Sequence, residues 1–228
     1  MMKKRVFYTE WAYALGMVFL AVGTALMEKA DFGMSMVVAP AYIVHLKVSK
    51  TLPFFSFGMA EYTLQAVILA GMMLILRRVK RAYFFSFVTA VIYGFLLDGA
   101  MGMAALLPEA GLAGRCALFA SGMLGCSIGI AMLFRTYIPP EAYELFVKEI
   151  AGKLKMDTAK FKTVYDCASC LLSIALSFAF FGWGRFEGVK AGTIVCALVN
   201  GWLIGQCAKF MEARWSFCDG LKIRKWFE

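Results

Sequence analysis

Six stretches of this sequence are long and apolar enough to cross a bilayer, and nothing else in it constrains the fold as strongly: 11–27, 53–76, 82–107, 116–134, 163–184 and 191–208. A helix spans the hydrocarbon layer with about 17–25 predominantly apolar residues. The first, fourth and sixth stretches contain no Asp, Glu, Lys or Arg at all. Composition agrees, with 61% hydrophobic and 17% charged residues, where soluble domains run at about 45–50% and 25%. The spans leave no segment long enough for a separate soluble domain. The chain therefore reads as one polytopic membrane domain over residues 1–228, with a tail at 213–228.

The formal net charge is +9, which in a soluble protein would suggest nucleic acid. Here the charges flank the apolar runs, so no nucleic-acid partner is expected and the lipid bilayer is the primary one. Lys and Arg in short loops set orientation. With the N-terminus inside, 18 of the 24 basic residues fall on the inner side, at 3–5, 77–81, 135–162 and 209–225. Both termini are thus expected in the cytoplasm, with the protein in a bacterial plasma membrane. Lys3-Lys4-Arg5 before an apolar run resembles a signal peptide, but Glu28-Lys29 ends that run without a clean small-x-small site, so a retained helix is expected. None of the seven cysteines falls in an exterior loop, and no disulfide framework is expected. Cys167 and Cys170 form a C-x-x-C with no second ligand pair, so packing is the better reading than zinc.

An internal repeat is legible. Gly16, Gly23 and Ala25 match Gly122, Gly129 and Ala131 at an offset of 106. Ala90, Gly94 and Leu96 match Ala197, Gly201 and Leu203 at 107, and Glu61 falls opposite Asp166 at 105. The expected fold is all-α, with six transmembrane helices as two inverted three-helix repeats, about 8–108 and 113–212. Three spans per half is odd, so the halves enter the membrane from opposite sides, as recurs in secondary transporters. Duplication kept for packing alone is the competing reading. The matched glycines are expected to pack the halves together.

Each half carries an extra segment after its first span. Segment 33–48 is interrupted by Pro40, and 137–155 opens at Pro139-Pro140 with the i,i+4 pairs Glu144/Lys148 and Glu149/Lys153. Both read as short interfacial or re-entrant helices, marked by Gly33 and Ser35 in one and by Pro139, Pro140 and Glu141 in the other.

These segments carry a recognisable pattern. Lys29-Ala30-Asp31-Phe32-Gly33-Met34-Ser35 resembles a stretch after the first helix of the YczE/YyaS/YitT-type bacterial integral membrane proteins. Pro139-Pro140-Glu141-Ala142 with Phe161-Lys162-Thr163-Val164-Tyr165-Asp166, and Phe186-Glu187-Gly188-Val189-Lys190-Ala191-Gly192-Thr193-Ile194, resemble two further regions of that family. Met36 stands where the family usually has proline, and Ala142 where it often has glycine. The resemblance implies a multi-span bacterial membrane protein of poorly defined role and supplies no substrate.

A carboxylate at mid-bilayer costs about 2.5–3.5 kcal/mol on insertion scales, so such residues face a partner or water. Glu61, Asp166, Asn200, Asp98 and Arg135 are the candidate substrate-binding residues. Glu61 and Asp166 are expected as matched groups on a central cavity, against the alternative of helix-end carboxylates in reach of headgroup water. For Asp98 the helix-end reading leads. Arg135 could pair with Glu141, Glu144 or Asp166, and His45 suits an interfacial or capping role. No P-loop, GxSxG, HExxH or dinucleotide fingerprint is present, so no enzyme, cofactor or metal is expected. The leading function is a small-molecule transporter of unknown substrate. The alternatives are a substrate-binding subunit of an energised complex, coupled through 137–155, or a non-transporting accessory or scaffold. A homo-oligomeric or other membrane partner is left open.

Overall fold

The computed structural model describes residues 5–156, 158–184, 186–221 and 224–226. Lys3, Lys4 and Lys222 of the inner-side set lie outside the described residues, as do the side chains of Lys160, Thr163 and Lys225. The described chain runs β1 (Arg5–Tyr8), α1 (Thr9–Ala30), α2 (Ala39–Val48), α3 (Phe57–Leu76), α4 (Arg81–Ala105), α5 (Leu112–Leu133), α6 (Ala142–Leu154), α7 (Thr158–Phe181), α8 (Ala191–Arg214) and β2 (Trp215–Cys218). Each of the six expected spans has its helix, and all six are long and apolar enough to cross a membrane. Large apolar side chains such as Leu74, Phe84, Phe95, Leu171 and Leu198 project outward. In water they would be an aggregation liability, whereas in hydrocarbon they are the natural surface of an integral membrane protein.

Local chemistry sets the ends of the helices. α1 stops at Asp31, whose left-handed backbone (φ 55°) turns the chain while its N–H bonds the Glu28 carbonyl. α3 begins at Phe57 rather than at 53, because Ser56 accepts a hydrogen bond from the Met59 N–H and caps it. Pro40 does not interrupt α2 as expected. It lies in the first turn, where a missing N–H costs nothing.

Packing joins elements distant in sequence. α1 lies along α5, with α4 against α1 and α8 against α5. The α1–α5 seam is a glycine seam: a Cβ at Gly129 would come within 2.6 Å of the Gly16 carbonyl oxygen, and one at Gly122 within 2.7 Å of that of Gly23. α2 packs on α3 and α7, and α6 packs on α7 and α3, so each short helix touches the second span of both halves. α3 and α4 meet closely, where Gly58 lies against Gly94. Among the described residues, α7 and α8 form no comparable contact. Gly201, expected at a close approach, has open space around it because α7 does not close onto α8 there.

The expected intrahelical pairs of α6 are replaced by tertiary ones. Glu144 pairs with Lys162 of α7 at 2.8 Å, and Glu149 with Lys80 and Arg78 at 2.6 and 2.9 Å. Burial alone would raise the Glu149 pKa, but these two cations and the Tyr83 hydroxyl hold it below the ordinary carboxylate value. A salt bridge that ties α6 to α3 and α4 is geometrically available because α6 is wedged between them and α7.

The termini also pair, which the apolar pattern did not foretell. β1 and β2 form a parallel two-stranded ribbon with Arg5 opposite Trp215 and Tyr8 opposite Cys218. Phe7 stacks edge-on against Phe217. The start of α1 and the end of α8 therefore sit on one face, as an even number of crossings requires.

Candidate ligand-binding cavity

One cavity of about 380 Å³ lies among α1, α4, α5, α6, α7 and α8 and the turn before α2. Two short segments reach it from opposite halves. Ser35, Met36, Val37 and Val38 line it just before α2, and Pro140, Glu141, Tyr143 and Glu144 line it at the start of α6.

The start of α6 is held by α3 and α4. Ser86 and Thr89, one turn apart on α4, donate to the carbonyls of Pro140 and Pro139 at 2.7 and 3.1 Å. Gln65 of α3 accepts from the Ala142 N–H at 2.9 Å, and its amide reaches Glu61 and Glu141 at 3.3 and 3.4 Å. Gln65 and Glu61 are fully buried. The turn before α2 is fixed differently. Gly33 adopts φ 106°, a left-handed conformation suited to glycine, and a Cβ there would come within 2.6 Å of the Thr193 hydroxyl. Met34 N–H then bonds the Gly188 carbonyl at 3.0 Å.

The cavity's polar side is rich in acceptors. Glu141, Glu144 and Asp166 face one cation, Lys162, which sits 2.8 Å from Glu144 and 3.6 Å from Asp166. Glu141 Oε1, Asp166 Oδ1 and the Tyr143 hydroxyl are buried with no hydrogen-bond partner among the described residues, and so is Glu61 Oε2. Unsatisfied buried polar groups cost about 1–3 kcal/mol each, so a cluster of them calls for water, ion or ligand. Burial first, then the Glu61 and Glu144 carboxylates, push the Glu141 pKa well above the usual carboxylate range. Tyr143 is raised likewise, by burial and the charge of Glu61. The remaining wall is mostly apolar, with Leu20, Ile130, Leu133, Phe134, Cys196 and Ile204. Asn200 accepts from Ser127 at 3.0 Å on that side.

The residues singled out in the sequence divide accordingly. Asp166, Asn200, Ser35, Pro140 and Glu141 meet on the cavity wall. Glu61 is one layer behind it, linked to Glu141 through Gln65. Pro139 and Gly33 support the two short segments from outside the cavity. Asp98 and Arg135 are elsewhere. Asp98 accepts from the Ser56 hydroxyl and the Gly58 N–H at 2.6 and 2.7 Å, capping α3 at the α3–α4 contact. Arg135 pairs with Glu212 of α8 rather than with Glu141, Glu144 or Asp166. His45 bonds the Phe55 carbonyl at 2.9 Å and stacks on Phe57. Sequence reasoning passed over Gln65, Tyr143 and Lys162. Gln65 had a signal, being four residues after Glu61 in an otherwise apolar run and so on the same helix face.

A sequence-family model described as a family of unknown function (DUF6198) matches residues 7–209. None of the comparisons ties the chain to the YczE/YyaS/YitT-type proteins in particular. No curated protein and no solved structure matches it.

Proposed function

The chain belongs to the DUF6198 family of unknown function, and we propose that within it the protein is a small-molecule transporter, built as an inverted repeat around the cavity. Both termini are cytoplasmic in a bacterial plasma membrane, and the protein works without catalytic chemistry of its own. The observation that carries this reading is the cavity wall itself. Ser35 and Glu141, 106 positions apart like the matched glycines, enter it from opposite halves at the starts of the two short helices. Binding sites at the interface of such repeats are the recurring arrangement in secondary transporters.

Two further features support the inverted repeat. Gly16 is matched in sequence to Gly122 and Gly23 to Gly129, yet Gly16 touches Gly129 and Gly23 touches Gly122. That exchange of partners is what a two-fold axis between α1 and α5 would produce, and it supports the reading. The packing of α2 on α7 and of α6 on α3 follows the same operation. Such a symmetry is broken where α3 meets α4 while α7 and α8 stay apart, and where α4 meets α6 without a matching contact of α8 with α2 among the described residues. Alternating access needs such an asymmetry, with one half closed and the other open. The rival reading as a subunit driven through segment 137–155 has less to draw on, because α6 spends Glu144 and Glu149 on internal partners.

The test is access. In a background with the seven cysteines replaced, Asn200→Cys on the cavity wall and Leu198→Cys on the outer face are exposed to a membrane-impermeant thiol reagent in sealed vesicles. Cysteine at 200 is expected to react at least ten-fold faster than cysteine at 198. Equal inertness at both positions means a sealed interior and overturns the transport reading.

A further inference from the structure

The chemistry of the cavity wall narrows what it holds. We propose that the ligand is a small organic cation, a protonated amine carrying an apolar body, seated with its ammonium between Glu141, Tyr143 and Asp166. The inference rests on the transport reading for its purpose but on separate observations for its content. Three carboxylates line the cavity against one ammonium, and Lys162 already gives its closest contact to Glu144 at 2.8 Å. Glu141 is more than nine-tenths buried, and its Oε1 lacks a partner among the described residues. Tyr143 is equally buried with no hydrogen-bond partner for its hydroxyl among the described residues, and Asp166 Oδ1 has only the 3.6 Å contact with Lys162. An alkylammonium has three donors and no acceptor. Three under-satisfied oxygen atoms, two of them on carboxyl groups and one of these reached by Lys162 only at 3.6 Å, are its complement, with Glu141 giving up its proton as the ammonium binds.

An anion would bring its charge beside three carboxylates and a single ammonium, and part of each helix start is already engaged. Two short helices begin at the cavity, and helix N-termini favour anions. Before α2, however, the N–H groups of Val38 and Ala39 are bonded to the Ser35 carbonyl, and residue 40 is proline. At α6 the Ala142 N–H is bonded to Gln65, and Glu141 occupies the cap position with its own carboxylate. A purely inorganic cation would leave most of the wall unused, because Leu20, Ile130, Phe134 and Ile204 offer nothing to a metal ion. The volume, about 380 Å³, lies at the small end of ligand pockets of 300–1,000 Å³. It suits a single ring or short chain next to the charge.

Three isosteric probes test the inference on the unmodified full-length protein in nanodiscs of neutral lipid: 2-phenylethylammonium, 2-phenylethanol and phenylacetate, followed by titration calorimetry. The ammonium is expected to bind saturably and at least ten-fold more tightly than either isostere, and to slow labelling of Asn200→Cys. Glu141→Gln and Asp166→Asn should each weaken it ten-fold or more. Glu109→Gln, at an exposed surface pair, should leave it unchanged. The inference is overturned if phenylacetate or the alcohol binds as well as the ammonium. It is overturned equally if cooperatively melting protein binds no ammonium, or if both cavity variants bind it normally. Rapid labelling at 200 without ammonium binding would remove the ligand class and leave the transport reading standing. The isostere comparison needs no variant, so a misfolded substitution does not blunt it.

Discussion

Gln65 holds three groups with one side chain: the first N–H of α6, Glu61 and Glu141. It thereby holds the Glu141 carboxyl in a layer where it could not ionise cheaply. Burial and its carboxylate neighbours raise the Glu141 pKa, so the folded protein takes up a proton there that the unfolded chain has already lost above about pH 4.5. Stability from this site is therefore fully present below that pH and falls as pH rises towards the folded value. Glu141→Gln keeps the shape and removes the titration. The variant should melt higher than the parent at pH 8, with the gap shrinking towards pH 5. The slope is bounded by about 1.4 kcal/mol per pH unit, and melting curves across that range check it. A parallel offset at every pH would mean that Glu141 does not titrate in the fold. Residues of this kind are only half legible in a sequence. A lone carboxylate inside an apolar run, such as Glu61, announces itself. Glu141 and Glu144 lie in a segment polar enough to look like a surface helix, and their burial depends on α3 and α7 closing over it. For Asp98 the helix-end reading led, but its capping partners were hidden, since Ser56 and Gly58 are some 40 residues away.

At the level of elements, the helices were readable because each span is a continuous apolar run whose length the bilayer dictates. What joins them was readable in part. Gly16, Gly23, Gly122 and Gly129 mark the seam where α1 and α5 approach backbone to backbone, and no other residue leaves room for that approach. Gly201 carries the same sequence signal but faces open space, because spacing reveals a small residue and not what stands opposite it. The two positions separate in a simple comparison of helical glycines. Gly129→Ala forces a methyl against the Gly16 carbonyl oxygen and the Leu20 nitrogen, both backbone atoms. Overpacking of this sort costs about 1–3 kcal/mol, so the melting temperature should drop by several degrees. Gly205→Ala on α8 has nothing within 4 Å and should be neutral or slightly stabilising through helix propensity. Equal melting of the two variants would mean that α1 and α5 do not meet in this register. The short strands were invisible for a different reason: four-residue β segments carry no periodicity of their own, and their pairing depends on where two distant helices end.

For the whole molecule, that pairing is the most economical check on the architecture. Six crossings return the chain to the side on which it began, and β1 beside β2 is the covalent path's own statement of this. Five or seven crossings would separate the ends by the thickness of the membrane, about 30 Å of hydrocarbon. Tyr8 and Cys218 are register partners in the parallel ribbon and both are exposed. Register partners in a sheet lie within the Cα separation of about 4.4–6.8 Å that a disulfide spans. With the other six cysteines replaced, Tyr8→Cys should cross-link to Cys218 under mild oxidation. The product would appear as an intramolecular species of faster gel mobility that reverts on reduction. Arg5→Cys with the same Cys218 should cross-link poorly, because it stands three positions out of register on the ribbon, about 10 Å along the strand. Efficient closure from position 8 but not from position 5 fixes both the shared face and the parallel direction. Closure from neither would separate the ends, and with them the even-numbered crossing on which an inverted pair of three-helix halves depends.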